Sequence, residues 1–204
     1  MMRVTSQLVM LVTYHLYDVV MTSAHDIGLL ALRAGLGGTL VAHGSQKLFG
    51  SFGGGGIDGT AAFFDSVGFK PGKANAILAG VSEVGGGALL AAGLATPAAA
   101  GAVTGTMAVA GSMHTSNGFF AQQGGFEYPA VLALAASSLA LIGPGTLSLD
   151  HAFGHTLNRP WMRTVALAAV VPATMFVLNR RKKAVAAVAA TTGPVDGEHD
   201  EIDA

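Results

Sequence analysis

Five apolar runs, residues 27–49, 74–94, 97–119, 124–142 and 161–178, dominate the chain and are separated by stretches rich in glycine and polar residues. At ~1.5 Å of rise per residue each covers a hydrocarbon layer of roughly 30 Å with modest tilt, so each is expected to be a membrane-spanning helix. Pro172 falls inside the last run and predicts a kink there. A shorter apolar stretch at 8–21 is interrupted by His15 and Asp18. It makes a poor signal-peptide core and reads as an interfacial amphipathic helix, with a sixth span as the alternative.

The connections are uneven. Ala95-Thr96 ahead of Pro97 is a tight turn with proline at the first helical position, which makes the second and third runs an antiparallel hairpin. The first connection is long: residues 50–60 are glycine-rich, and residues 61–69, with Phe63, Phe64 and Phe69, predict an apolar helical turn or two at the membrane surface. Gly54, Gly56 and Gly59 fit G-x-G-x-x-G, but they follow a membrane helix instead of a β-strand, so a dinucleotide site is excluded. Beyond Lys183 an Ala/Val stretch leads into an acidic tail expected to be disordered. The expected fold is therefore an all-α integral membrane helix bundle, with a four-helix core plus a fifth C-terminal span. Its parts are an N-terminal interfacial segment (1–26), the four-helix domain (27–150), a loop and fifth span with a basic inner end (151–183), and the tail (184–204).

Composition agrees with that class, since 51% of residues are apolar and only 11% charged. A soluble domain would need more surface charge, and abundant small residues let helices approach closely where lipid supplies no hydrophobic drive between them. With no cysteine, the chain cannot form a disulfide framework, hold an iron-sulfur cluster by thiolates or run a thiol relay alone. The net charge of -1 and scattered basic residues exclude nucleic acid as a partner. Lys47, Lys70, Lys73, Arg180, Arg181, Lys182 and Lys183 fall on one side of five spans, against Arg3, Arg159 and Arg163 on the other. This asymmetry predicts a multi-pass protein of the cell inner membrane with its C-terminus in the cytoplasm.

Polar residues inside apolar runs are the candidate chemistry, because a charge in a bilayer costs several kcal/mol unless it is paired or wet. Counted from the cytoplasmic ends, His43 lies about 9 Å deep, Glu83 about 14 Å, His114 about 8 Å and Glu127 about 5 Å. Gly35, Thr39, His43 and Lys47 recur every four residues and share one helix face expected to point inward. His43 and Glu83 are the catalytic candidates, and Lys47, His114, Asn117 and Glu127 the cofactor-binding ones. Each has a plainer reading. His43 or Lys47 with Glu83 would also serve as an interhelical clasp, His114 and Asn117 as helix-end hydrogen-bonding groups, and Glu127 as an anion at a helix N-terminus. Arg33 is expected to snorkel outward, and Tyr128 and Trp161 to anchor at the interface. No metal set is evident, and His43 with His114 lacks a recognised heme spacing.

The same residues carry a resemblance. His43-Gly44-Ser45-Gln46-Lys47-Leu48-Phe49-Gly50, then Gly59-Thr60-Ala61-Ala62-Phe63-Phe64 with Gly68, Glu83-Val84-Gly85-Gly86, Asn117-Gly118-Phe119-Phe120 and Gly125-Phe126-Glu127-Tyr128 occur in the order found in the DoxX family. The likeness runs from about Ile27 to Asp150, closing on Gly143-Pro144-Gly145 and Leu147-Ser148-Leu149-Asp150. It implies a small polytopic inner-membrane protein linked to redox metabolism. Relatives include a membrane subunit of thiosulfate:quinone oxidoreductase and members of complexes joining thiol handling to superoxide defence.

Three functions remain open on the sequence. The first is a quinone-linked redox subunit in which His43 hydrogen-bonds a carbonyl, Glu83 relays a proton and a partner protein supplies electrons. The second is a non-catalytic anchor recruiting soluble redox enzymes through its loops and tail. The third is a small-solute carrier, against which the lack of a clear inverted repeat argues. The suspected ligand is a quinone, the partners are the lipid bilayer and soluble or membrane redox proteins, and self-association into a homo-oligomer is left open.

Overall fold

No proline or glycine interrupts the chain before Gly28, and helix α1 (Met2–Phe49) runs unbroken for 48 residues. The segment expected at 8–21 is thus helical and continuous with the first span. A computed structural model describes residues 2–191. After α1 come a 3-10 turn at Ser51–Gly53, α2 (Gly56–Ser66), α3 (Gly72–Ala92), α4 (Thr96–Ser112), α5 (Glu127–Ile142), the one-turn α6 (Leu149–Ala152) and α7 (Pro160–Thr191). The described residues form no strand, and the architecture is an all-α membrane helix bundle.

Three stretches, Ser23–Phe49, Gly72–Ala92 and Pro160–Thr191, are long and apolar enough to cross a membrane. Helices α4 and α5 have 17 and 16 residues and reach only about 25 Å. The third apolar run was expected to stay helical to Phe119, but α4 stops at Ser112. The reason is local competition for backbone groups: Ser112 Oγ donates to Val109 O (2.6 Å) and Thr115 Oγ1 to Ser112 O (3.1 Å). Gly118 and Gly124 then take positive φ, and α5 starts at Glu127. At the other extreme α7 continues past residue 178, through Pro172 and the alanine-rich stretch, to Thr191. The acidic tail, residues 192–204, lies outside the described residues.

Glycine seams set the packing. On α1 the close approaches are at Gly37, against Gly87 and Ala91 of α3, and at Gly44, where a Cβ would lie 2.6 Å from Val84 Cγ2 and 2.8 Å from Gly80 O. Gly35, on the face expected to point inward, has nothing within 4 Å of its Cβ position. On α4, Gly101 lies against Ala166 of α7. A small core, mostly leucines and alanines with Val103 and Met107, includes Leu36, Leu40, Leu90, Ala136 and Leu139 and fills the space between α1, α3, α4 and α5. Helix α7 buries no residue fully and packs mainly along α4.

The bundle has two distinct ends. At the α2 end, Arg181 Nε of α7 donates to Val67 O (2.8 Å), and its guanidinium lies over Phe69, 5.5 Å from the ring centre. Lys47, Lys70, Lys73 and the Arg180–Lys183 run share this end, as the sequence asymmetry required. The α6 end gathers the α3–α4 turn, the α5–α6 loop and the start of α7, where Arg163 donates to Asn158 Oδ1 (3.0 Å) and Leu141 O (3.0 Å).

Candidate functional site: an ion pair on the wall of an apolar cleft

One helical turn separates His43 from Lys47, which puts both on the inward face of α1 near the α2 end. They reach different partners. Lys47 Nζ meets Glu83 Oε2 of α3 at 2.6 Å, with side-chain exposures of 26% and 4%. The close approach at Gly44 with Gly80 and Val84 is what lets two such side chains meet between these helices. His43 turns to α5, where Nε2 hydrogen-bonds Tyr128 Oη at 2.8 Å. The rings stand 5.5 Å apart. Tyr128, expected as an interface anchor, is thus half of an α1–α5 clasp.

The other expected residues gather in the α4–α5 connection. His114 Nδ1 donates to Gly124 O (2.9 Å), Asn117 Nδ2 donates to the same carbonyl (3.2 Å), and Glu127 Oε2 accepts from Ala121 N (2.9 Å). All three therefore tie down a loop, and His114 and Asn117 are exposed there instead of lying within a span. The depth assigned to His114 from a helix running to residue 119 does not hold.

Between α3, α4 and α7, with α2 at one end, lies a cleft of about 1080 Å³. Its walls are mostly apolar: Phe63, Phe64 and Phe69 at the α2 end, Leu157 and Trp161 at the α6 end, and small residues of α4 with aliphatic residues of α7 between. Lys47, Glu83, His114 and Asn117 line it, and so do Ser82, Thr106 and Thr174. His43 and Glu127 do not. A space of this size with few polar groups suits a drug-sized or larger amphiphile.

A second polar cluster, at the α6 end, was not foreseen. Arg33 is fully buried, so it does not snorkel; its Nη2 donates to Leu147 O, while Nε and Nη1 have no partner. Gly93 leaves the room it needs, since a Cβ there would collide with Nη1. Asp150 reaches back to cap α4, accepting from Ala95 N (2.8 Å), Thr96 N (2.9 Å) and Thr96 Oγ1 (2.8 Å). Asp26 accepts from Thr146 N (2.9 Å) and Thr146 Oγ1. The available signals were a lone arginine in an apolar run and an aspartate closing Leu147-Ser148-Leu149-Asp150, which no periodicity connects. This cluster fastens α1, the α3–α4 turn and the α5–α6 loop together.

Among the described residues no group of three or more His, Cys, Asp or Glu is placed to hold a metal ion. No curated protein and no solved structure matches the chain. The DoxX family model does match, from Gly28 to Ser116, which takes in the spanning part of α1 with Lys47, the whole of α2, α3 with Glu83, and α4. The motifs from Asn117 onward, and α5 and α7, lie beyond that match. Over residues 28–116, a little under half of its length, this chain is thus similar to the DoxX family.

Proposed function

We propose that the protein is the membrane subunit of a redox system and that the cleft between α3, α4 and α7 seats a quinone-type amphiphile. The observation that carries this reading is the Lys47–Glu83 pair, 2.6 Å apart, on the wall of an apolar cleft of about 1080 Å³. The donor set fits such a ligand: an ammonium able to hydrogen-bond a carbonyl oxygen, a carboxylate beside it, and apolar walls for a ring and tail. When bound, a quinone would accept two electrons and two protons and leave as the quinol. The electrons would come from a sulfur- or thiol-oxidising partner protein, in keeping with the family resemblance and its link to oxidative-stress defence.

The chain's own part is binding and proton handling. Lys47 holds its charge toward the head and stabilises negative charge developing there. Glu83, nearly buried and paired, is placed to pass a proton between the cleft and the α2 end, where the exposed groups of the α4–α5 loop give access to water. The apolar walls keep bulk water from the reacting oxygens. This gives the headgroup contact to Lys47 in place of His43, whose ring faces Tyr128 outside the cleft lining. The clustering of Lys47, Lys70, Lys73 and Arg180–Lys183 at the α2 end supports an inner-membrane orientation with that end in the cytoplasm.

The test is to purify the protein in mild detergent with its companions and extract bound lipids. Quinone retained by the parent and lost from Glu83→Gln supports the reading. A protein without quinone that still brings down soluble redox enzymes, unchanged by Glu83→Gln, would make it an anchor.

A further inference from the structure

Beside the ion pair, the cleft wall carries two hydroxyls whose protons can be counted. Ser82, the residue before Glu83 on α3, and Thr106 of α4 both line the cleft, both are half-buried, and their oxygens lie 2.8 Å apart. Thr106 donates to Ala102 O, four residues back on its own helix (3.0 Å). A hydroxyl has a single proton, so Ser82 is the donor in the contact between them. The protons thus run from Ser82 to Thr106 to Ala102 O, an order in which both donors are satisfied and each bond polarises the next.

The consequence is one-sided. With both protons committed, Ser82 Oγ keeps its two lone pairs free and Thr106 Oγ1 keeps one. Toward the cleft the pair therefore offers acceptors alone, whereas Lys47, 26% exposed, offers N–H donors. A second hydroxyl pair shows what a plain helix clasp looks like. Thr104 and Ser137 lie 3.2 Å apart between α4 and α5, off the cleft, and each donates to the carbonyl four residues back, Ala100 O and Ala133 O (2.7 Å each). Ser82 is not satisfied in that way: its proton crosses to the neighbouring helix and sets the direction of the pair.

We infer that Ser82 and Thr106 are the acceptor site for a hydroxyl on the head of the cleft's ligand, so that the cleft favours the quinol over a head without O–H groups. A ring O–H donates to the free lone pairs of the pair. A quinone carbonyl has no proton and gains nothing there, while Lys47 hydrogen-bonds an oxygen of either form. This rests on the quinone reading above and adds to it the redox form that is held more tightly, the reduced one.

The test is equilibrium binding of three probes to the protein in lipid nanodiscs under anaerobic conditions: a short-tailed benzoquinone, its quinol, and the dimethyl ether of that quinol, which has the oxygens without their protons. The parent is compared with the double variant Ser82→Ala with Thr106→Val, with Thr106→Ser, which keeps the acceptor, and with Thr104→Val, which removes a hydroxyl of α4 off the cleft. The expected result is a parent that holds the quinol about three- to tenfold more tightly than the ether. The double variant should lose that preference with its quinone affinity within twofold of the parent, and Thr106→Ser and Thr104→Val should keep it. The bulk of the ether's methyl groups is common to every protein and drops out of the comparison. A parent that binds quinone but shows no preference for the quinol, or a double variant that retains the preference, would overturn the inference and leave the quinone site standing. Equal loss of quinol and quinone in the double variant, or loss of the preference in Thr106→Ser or Thr104→Val, would make the effect one of packing and overturn it too. A parent that binds none of the three probes would overturn the inference together with the quinone site.

Discussion

Lys47 on α1 and Glu83 on α3 meet at 2.6 Å, and this pair links the glycine seam that joins the two helices to the cleft on their far side. Removing one partner strands the other charge in an apolar setting. Lys47→Met should therefore destabilise the fold by roughly 2–4 kcal/mol, somewhat less than for a wholly buried pair because Lys47 keeps part of its exposure. The double variant Lys47→Met with Glu83→Gln should recover at least half of that loss. Thermal unfolding of the four proteins in one detergent checks the cycle; additive losses would mean that the two groups are not coupled.

The Gly44 contact makes a second prediction. A methyl group there would come within 2.6–2.8 Å of Val84 and Gly80, whereas Gly38, on the open side of the same helix, has nothing within 4 Å. Gly44→Ala should cost about 1–3 kcal/mol through forced separation of α1 and α3. Gly38→Ala should be neutral or slightly stabilising. Equal melting temperatures for the two variants would count against the seam.

At the α6 end, Gly93 combines a φ of 64° with contact to the buried Arg33 guanidinium. Gly93→Ala meets both backbone strain and a side-chain collision, and is expected to destabilise by more than about 2 kcal/mol. The check is the yield of folded protein from the membrane and its melting temperature. Because this cluster lies at the opposite end of the bundle, any folded fraction should retain quinone at parental levels.

His43 and Tyr128 are predicted to matter for assembly alone. Tyr128→Phe removes one hydrogen bond, worth about 0.5–1.5 kcal/mol. Bound quinone, measured by extraction, should stay within twofold of the parent in both Tyr128→Phe and His43→Ala. A loss as deep as that in Glu83→Gln would restore His43 to the headgroup role that its position in the sequence suggested.

Much of this architecture was readable from the chain, for reasons that also mark where reading stopped. Apolar run length identifies spanning helices because bilayer thickness is fixed, and the α3–α4 hairpin follows from Ala95-Thr96-Pro97. The i, i+4 spacing of His43 and Lys47 correctly placed both on an inward face. It could not say that one turns to α5 and the other to α3, since a helix face is wide enough to touch two neighbours. Run length misled at residues 113–119, where hydroxyl and amide side chains take over backbone hydrogen bonds that a hydropathy pattern credits to the helix. Arg33 and Asp150 were missed because their meaning lies in residues far along the chain: Leu147 for Arg33 and Thr96 for Asp150.

The most direct test of the quinone site is photolabelling of the protein in native-like bilayers with a short-tailed azidoquinone, followed by peptide mapping of the attachment points. The account predicts labels on α3, α4 and α7 around Ser82, Thr106 and Thr174, competed away by excess unlabelled quinone and weakened in Glu83→Gln. Labels confined to the lipid-facing side of α5, or spread over the surface and indifferent to competitor, would contradict it.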